Sequence, residues 1–430
     1  MKKLFIKDIK NLKKEFEILG WIKSKRKHKD ITFLDLVDST GEIQVLLKEG
    51  LTKNFKGNQK ISLEAAVKIN GKIKNKILEA KEVKILADSK LNLSPNPRSD
   101  FDILDKKYVD FVLTNRHLYL RNPKLMAIMR IRNHFFYILR NWFNSKGIIE
   151  FTAPILTQIP LYEEKTAFQT NYFGKNIFLT QCVAFYLEAA VLAFEKVYNI
   201  GPSFRAEQSS TKRHLSEYWH VKVELAWANH EEMVNFSEEM IDYLLKNLTK
   251  ECSADLKFLG VKRNIKKMKI PYPRITYDEA LKKLKEKGVK LKWGKSLGAD
   301  EESILSEDYE SPFWVFGIPK EIEPFPYELN EKNKKVTKVA DLLLPKGYGE
   351  LLGTAEKICN KEKMISRMKE EGVWCKKERY DWYVQLRDSG CVIHSGLGMG
   401  VERFLRWFVL SEHVRDTIPF PRLFRRTPKP

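Results

Sequence analysis

Between residues 15 and 90 apolar and polar side chains alternate with a period at or near two, in the runs "FEILGWI", "ITFLDLVD", "IQVLLKE", "ISLEAAVKI" and "NKILEAKEVKIL". Such alternation sets one face of a strand against a core and the other in water, and the glycines and charged residues between the runs read as turns. Short strands repeated at this spacing predict a small antiparallel barrel. The pattern then breaks at Asp88 to Asp102, "DSKLNLSPNPRSDFD", where two prolines and many polar residues read as a linker.

From Lys124 to Lys146 the period becomes helical. "KLMAIMRIRNHFFYILRNWFNSK" repeats apolar side chains every three to four residues and stops at Gly147. Its apolar stripe faces either its own core or a second copy of the chain. Beyond it, strand-like runs ("GIIEFTAPIL", "NIFLTQ", "VYNIGPSFRAE", "YWHVKVELAW") mix with helical ones ("YLEAAVLAFEKV", "HEEMVNFSEEMIDYLLKNL"), which predicts an α+β domain. Residues 280–340, rich in Lys and Glu, show no clear period. The expected organisation is a barrel domain over 1–95, a linker over 96–110 and an α+β domain over 111–430.

A chain of 430 residues is long enough for two or three domains with real cores. With 77 Lys plus Arg against 56 Asp plus Glu the formal charge is +21, which favours a polyanionic partner such as nucleic acid, although a lysine-rich proteome gives the same bias. Cys182, Cys252, Cys359, Cys375 and Cys391 form no C-x-x-C pair, which argues against a zinc knuckle or a disulfide framework and for a reducing cytoplasm. "MKKLFIKDIKNLKKEF" lacks an apolar h-region and "AFYLEAAVLAF" is short and interrupted by Glu188, so neither export nor membrane insertion is expected.

Three stretches carry chemistry. "GLGMGVERFLRW", Gly396 to Trp407, has glycines at alternate positions and then an arginine: either a tight strand-to-helix connection, or a surface where a ligand lies against bare main chain while a cation meets an anion. "FRAEQSSTKRHLSEYW", Phe204 to Trp219, gathers Arg205, Glu207, Arg213, His214 and Tyr218. It supplies cations for phosphates, an acid for a metal or base edge and an aromatic face for adenine, or it is a solvated hairpin of mixed charge. "DLLLPKGYGELLG" offers Asp341 and Glu350 around a Pro/Gly turn, and Glu350 is a candidate Mg²⁺ ligand.

Taken in order, "FTAPIL" after a long helix, "FRAE…RHLSEYW…VELAW" and "GLGMGVERFLRW…VRDTIPFPR" resemble motifs 1, 2 and 3 of class II aminoacyl-tRNA synthetases, with Pro154, Arg205 and Arg403 at the signature positions. "YLEAA", "VYNIGPSFRAE", "GYGE", "HSGLGMGVERF" and "IPFPR" are most similar to the aspartyl/asparaginyl branch, closest to its archaeal-type asparaginyl members, over nearly the whole chain. The resemblance implies an OB-fold followed by a catalytic domain on an antiparallel sheet flanked by helices. ATP, Mg²⁺, asparagine and a tRNA with a central anticodon uridine would be the ligands, in a homodimer. Arg205 would hold the α-phosphate and Arg403 the adenine and γ-phosphate, above a floor that includes Gly400. Arg213 and His214 would hold the pyrophosphate end, Glu207 the adenine side, Tyr218 would stack under the base and Glu350 would ligate Mg²⁺. Phe33 and Gln44 would read the anticodon by stacking and edge bonding, next to the basic "KSKRKHK".

Three positions depart from the pattern of the resembled family. Ala184 stands where a glutamine contacts the substrate, Lys222 where an acid pairs with its ammonium, and Lys357 where an arginine recognises its side chain. A lysine about 4 Å from an ammonium would cost roughly 4 kcal/mol at an effective dielectric of about 20, on the order of a thousandfold in affinity. Two alternatives to asparagine charging therefore stand beside it: a paralogue that activates another carboxylate, and a non-catalytic tRNA-binding paralogue.

Overall fold

The computed structural model describes residues 4–9, 12, 14–52, 61–91, 93–160, 164–209 and 211–426. The chain divides into two compact units, the first ending at Pro123 and the second beginning at Lys124.

In the first unit β1 (Phe16–His28), β2 (Ile31–Val37), β3 (Glu42–Lys48), β4 (Ala66–Lys74) and β5 (Ile77–Ala87) close into a barrel in the order β1-β2-β3-β5-β4. Four of the pairings are antiparallel, and β3 meets β5 in parallel to complete the closure. The alternating runs behave as their period requires: Leu34, Leu36, Val45, Leu47, Val67 and Ile69 point inward and are fully buried. Phe33 and Gln44 have the opposite parity, so both lie half-buried on the outer face, with Gln44 paired to Asp35 two residues along from Phe33. The "ISLEAAVKI" run becomes a strand only from Ala66, because Glu64 takes a left-handed backbone (φ 67°). Its buried carboxylate accepts from Arg98 Nε at 3.0 Å and pairs with Arg121 at 3.1 Å.

The second unit is built on an eight-stranded sheet. It contains β6 (Ile149–Glu150), β10 (Lys196–Phe204), β11 (Glu217–Ala226), β12 (Arg274–Thr276), β13 (Phe313–Phe316), β14 (Val339–Leu344), β15 (Gly349–Glu356) and β16 (His394–Gly400), in the order β12-β13-β14-β15-β16-β11-β10-β6. All neighbours are antiparallel except the outer pairs β12 with β13 and β10 with β6. The run "GIIEFTAPIL", read as one strand, forms two two-residue strands, β6 and β7 (Leu156–Thr157). Pro154 falls between them and has no N–H to give to a ladder. β7 joins β8 (Gln169–Tyr172) and β9 (Lys175–Leu179) in a small three-stranded sheet.

The helix Pro123–Ser145 turns Leu125, Ile128, Ile131, Phe135, Leu139 and Phe143 inward, so the stripe seen in the sequence faces the chain's own core. Gly147 follows at φ 68°. The helix His230–Glu251 starts with a capping box between Asn229 and Glu232. The Lys/Glu-rich region without a clear period contains the capped helix Tyr277–Glu286, the helix Ala299–Ser306 and β13. Among the described residues no helix is long and apolar enough to cross a membrane.

One buried ion pair ties the long helix to the helix Val401–Phe408. Arg132 lies 2.6 Å from Glu402 and donates to the Thr417 carbonyl at 3.0 Å, while Glu402 also accepts from the Trp219 N–H at 2.9 Å. Removing one partner of such a pair strands the other charge without water. Arg132→Ala is therefore expected to destabilise the second unit by about 3–5 kcal/mol, read from the urea midpoint of tryptophan fluorescence.

Candidate active site

The site grows from the hairpin β10–β11 and its neighbour β16. On β11 the alternate residues Tyr218, His220, Lys222 and Glu224 face one side of the sheet and line a cavity of about 530 Å³. The β16 residues opposite the last three are Gly400, Gly398 and Gly396. A methyl group added at Gly398 would strike the Lys222 amine, and one added at Gly396 would strike the Glu224 carboxylate. The glycines thus make room for two buried ionic side chains of the adjacent strand. Gly353 on β15 is registered with Gly398, and Asp341 on β14 with Gly353, so one row across the sheet runs Asp341, Gly353, Gly398, Lys222. Strands spaced about 4.8 Å apart put the two ends of this bare lane about 14 Å from each other. An acid stands at one end and a lysine at the other.

The strand-to-helix connection expected for "GLGMGVERFLRW" is present: β16 passes at Gly400 directly into the helix Val401–Phe408, which carries Arg403 back over the cavity. Arg403 Nη1 donates to Glu350 Oε2 at 2.8 Å, and Glu350 sits on β15 just after the turn containing Gly347 and Gly349, both at positive φ. Burial alone would raise the Glu350 carboxyl, but Arg403, Arg213 and Arg205 overcome it and hold it at about 2. Arg213 is clamped by both oxygens of Glu302, the second at 2.9 Å. Arg205 lies 3.4 Å from Glu207.

His214 bonds through Nδ1 to Ser209 at 2.9 Å and to Thr211, and its Nε2 is 3.5 Å from Glu207. Burial and then Arg403 press its pKa down to about 4, so at neutral pH it offers a polar N–H rather than a charge. Burial likewise keeps His220 neutral and raises the Tyr218 phenol.

Arg205, Glu207, Arg213, His214, Tyr218, Glu350, Gly400 and Arg403 all line this one cavity, and so do Ala184, Lys222 and Lys357. Phe33 and Gln44 lie in the other unit, on the barrel. The cavity also holds acids that the sequence reading did not single out as site residues: Glu224, Glu302 and Glu323. Glu302 and Glu323 come from chain segments more than seventy residues beyond β11, and no local pattern marks them. The Glu224 signal was present in the two-residue period of "HVKVEL".

Two electrostatic zones result. Around Asp341, burial and then Glu350, Glu323 and Glu302 push the carboxyl well above its ordinary range, and burial with Glu350 lifts Glu323 to about 8. Crowded carboxylates beside an arginine pair suit a hard divalent cation with phosphate oxygens. Around Lys222 the partners are different. Burial pushes Glu224 up to about 7 against the pull of Lys357 and Lys222, and Lys357 stacks over the Tyr327 ring at 4.4 Å. Ala184, at the first turn of the helix Ala184–Phe194, adds no polar atom.

Comparison with known proteins agrees with this geometry. Residues 16–91 match the family of OB-fold nucleic acid binding domains, and residues 108–423 match the tRNA synthetases class II (D, K and N). The chain is 37% identical over 414 residues to an asparagine–tRNA ligase of Thermococcus kodakarensis, with 95% of each covered. It is 35% identical over 420 residues to that of Pyrococcus abyssi, again with 95% of each covered. It superposes with a TM-score of 0.91, at 31% identity and full coverage of both chains, on asparaginyl-tRNA synthetase from Pyrococcus horikoshii complexed with asparaginyl-adenylate. A barrel of the nucleic-acid-binding type, an arginine clamp over a glycine-floored sheet and these relatives together establish that the chain belongs to the class II tRNA synthetases of the D, K and N group.

Proposed function

We propose that the protein activates asparagine with ATP and transfers the acyl group to tRNA(Asn) in the cytoplasm. The observation that carries this reading is the convergence of Arg205, Arg213, Glu350 and Arg403 on one cavity, in a chain so similar to asparagine–tRNA ligases. In the first step an oxygen of the amino-acid carboxylate attacks the α-phosphorus and pyrophosphate leaves. Arg205 neutralises charge that builds on the α-phosphate, Arg213 and the His214 N–H hold the departing pyrophosphate, and Glu207 and Tyr218 hold the adenine with Arg403. Glu350 and Asp341 would hold Mg²⁺, which neutralises phosphate charge when bound. In the second step a terminal ribose hydroxyl of the tRNA attacks the acyl carbon and AMP leaves. Every contribution is positional or electrostatic, and no protein nucleophile is required.

The barrel reads the anticodon in this proposal, with Phe33 stacking on the central uridine and Gln44 bonding its edge, beside the exposed Arg26 that pairs with Phe33 on β1. Dimerisation would use the motif 1 region, where Tyr137 and Ile149 are exposed.

One observation favours a second reading. Lys222 is buried over Gly398 at the position where the resembled family has an acid for the substrate ammonium, and Ala184 and Lys357 alter the same end of the cavity. A cationic pocket of this kind suits an acid with an extra carboxylate or without an ammonium. ATP–pyrophosphate exchange separates the two. Exchange that is stimulated by asparagine, and reduced by on the order of 10²–10³-fold in Arg403→Ala, is the expected result. Exchange with another acid only would establish the second reading, and survival of activity in Arg403→Ala would remove the arginine clamp from the mechanism.

Two further outcomes follow. Glu224 is the anion at the lysine-rich end that titrates near neutrality, since Glu188 beside it is held ionised at about 2, and it loses its charge as pH falls through about 7. Protonation there leaves Lys222 and Lys357 less compensated, so kcat/KM for asparagine should fall below that pH, and Glu224→Gln should flatten the profile while lowering its plateau. Phe33→Ala should weaken tRNA binding by about 1–3 kcal/mol in a filter-binding assay, with tRNA-independent exchange unchanged.

A further inference from the structure

Where β15 and β16 run out beyond the cavity, three soft ligands meet. Cys359 follows Lys357 by two residues, Cys391 precedes His394 by three, and their two sulfurs and an imidazole nitrogen all lie within 4.8 Å of one another. Among the described residues this is the one group of three or more His, Cys, Asp or Glu side chains so gathered. The strand ends are held in register by the Lys357 N–H, which donates to the His394 carbonyl at 3.0 Å.

The polar bonding of the cluster is crowded. Cys359 Sγ donates to the Val392 carbonyl at 2.8 Å, His394 Nδ1 lies 2.7 Å from the same oxygen, and Cys391 Sγ is 3.9 Å from it. A carbonyl has two lone pairs, and three donors compete for this one. The other ring nitrogen, His394 Nε2, is 3.3 Å from Glu188 Oε2, whose place is fixed by Tyr383 Oη and Arg387, each at 2.7 Å. The buried carboxylate fixes the ring through one nitrogen, as a carboxylate orients a metal-binding histidine, and places the other, Nδ1, 3.7 Å from Cys359 Sγ beside the shared carbonyl.

We propose that Cys359, Cys391 and His394 form a binding site for a thiophilic d¹⁰ cation, Zn²⁺ being the probe, that clips the end of β15 to the start of β16 beside Lys357. Binding releases the two thiol protons and the Nδ1 proton, and the dication is balanced by two thiolates. Tetrahedral Zn²⁺ with Zn–S of about 2.3 Å needs sulfurs about 3.8 Å apart, which falls inside the 4.8 Å span of the cluster. Cys359 and Cys391 are half-buried, which leaves the fourth position open to water. Imidazole and thiolate together select zinc-like ions over Mg²⁺, so the site is chemically separate from the carboxylates around Glu350.

The test uses the full-length protein, purified under reducing conditions, stripped with a chelator and titrated with Co²⁺ and then Zn²⁺. The expected result is one Co²⁺ per chain with near-ultraviolet thiolate-to-cobalt charge transfer, displaced by Zn²⁺. Cys359→Ser and Cys391→Ser should each weaken binding by more than the roughly 10–100-fold that loss of a supporting contact costs. Cys375→Ser, at an exposed position outside the cluster, should leave the spectrum unchanged. Circular dichroism of each variant reports folding, and the readout is independent of which amino acid is activated. Absence of charge transfer in the folded wild type, its persistence in folded Cys359→Ser and Cys391→Ser, or recovery of the pair as a disulfide would overturn the proposal.

Discussion

A β-sheet face that carries buried charge must leave space beside each charged side chain, and in the second unit this steric rule governs everything around the cavity. Lys222 and Glu224 cross toward β16 only because Gly398 and Gly396 lack side chains, and Asp341 is accommodated by Gly353 in the same way. Neighbouring carboxylates are matched by cations brought from elsewhere in the chain: Arg403 on Glu350, Arg213 on Glu302, Arg387 on Glu188. Replacing any of these glycines would displace an ion before it displaced a ligand.

Most of the framework could be read along the chain. The two-residue period located the barrel strands, and the helical period located the helix Pro123–Ser145. Short-range periodicity failed where local chemistry intervened, at Glu64 with its left-handed backbone and at Pro154 between two minimal strands. The site was legible where several of its residues share one strand or turn, as Arg205 to Tyr218 do. Glu302 was not, because only the tertiary fold brings the helix Ala299–Ser306 against Arg213. Nor could spacing alone show that Cys359 and Cys391, thirty-two positions apart, would be joined by the β15–β16 ladder.

The two ends of the glycine lane differ in what they demand of a ligand. The acidic end around Asp341 and Glu323 is under like-charge stress that a divalent cation, if bound as proposed, would relieve. The opposite end holds two lysines against Glu224, so its net charge changes with the protonation of one carboxyl. Relatives of this chain are named for asparagine, and the retained arginine clamp suits the same phosphate chemistry. In the proposed function, selection among amino acids would fall to Glu224, Lys222, Lys357 and Ala184, which line the same end of the cavity.

The ion pair between Arg403 and Glu350 has an implication for the order of events. A bare divalent ion arriving at Glu350 would compete with the arginine and leave its guanidinium with water in place of a carboxylate. A nucleotide already carrying its ion brings both halves of the exchange at once, the metal for the carboxylate and a phosphate for the arginine. Under the proposed roles of Glu350 and Arg403 the pair would act as a latch with two keyholes, one for an ion and one for a phosphate, and a nucleotide that carries its ion would fit both.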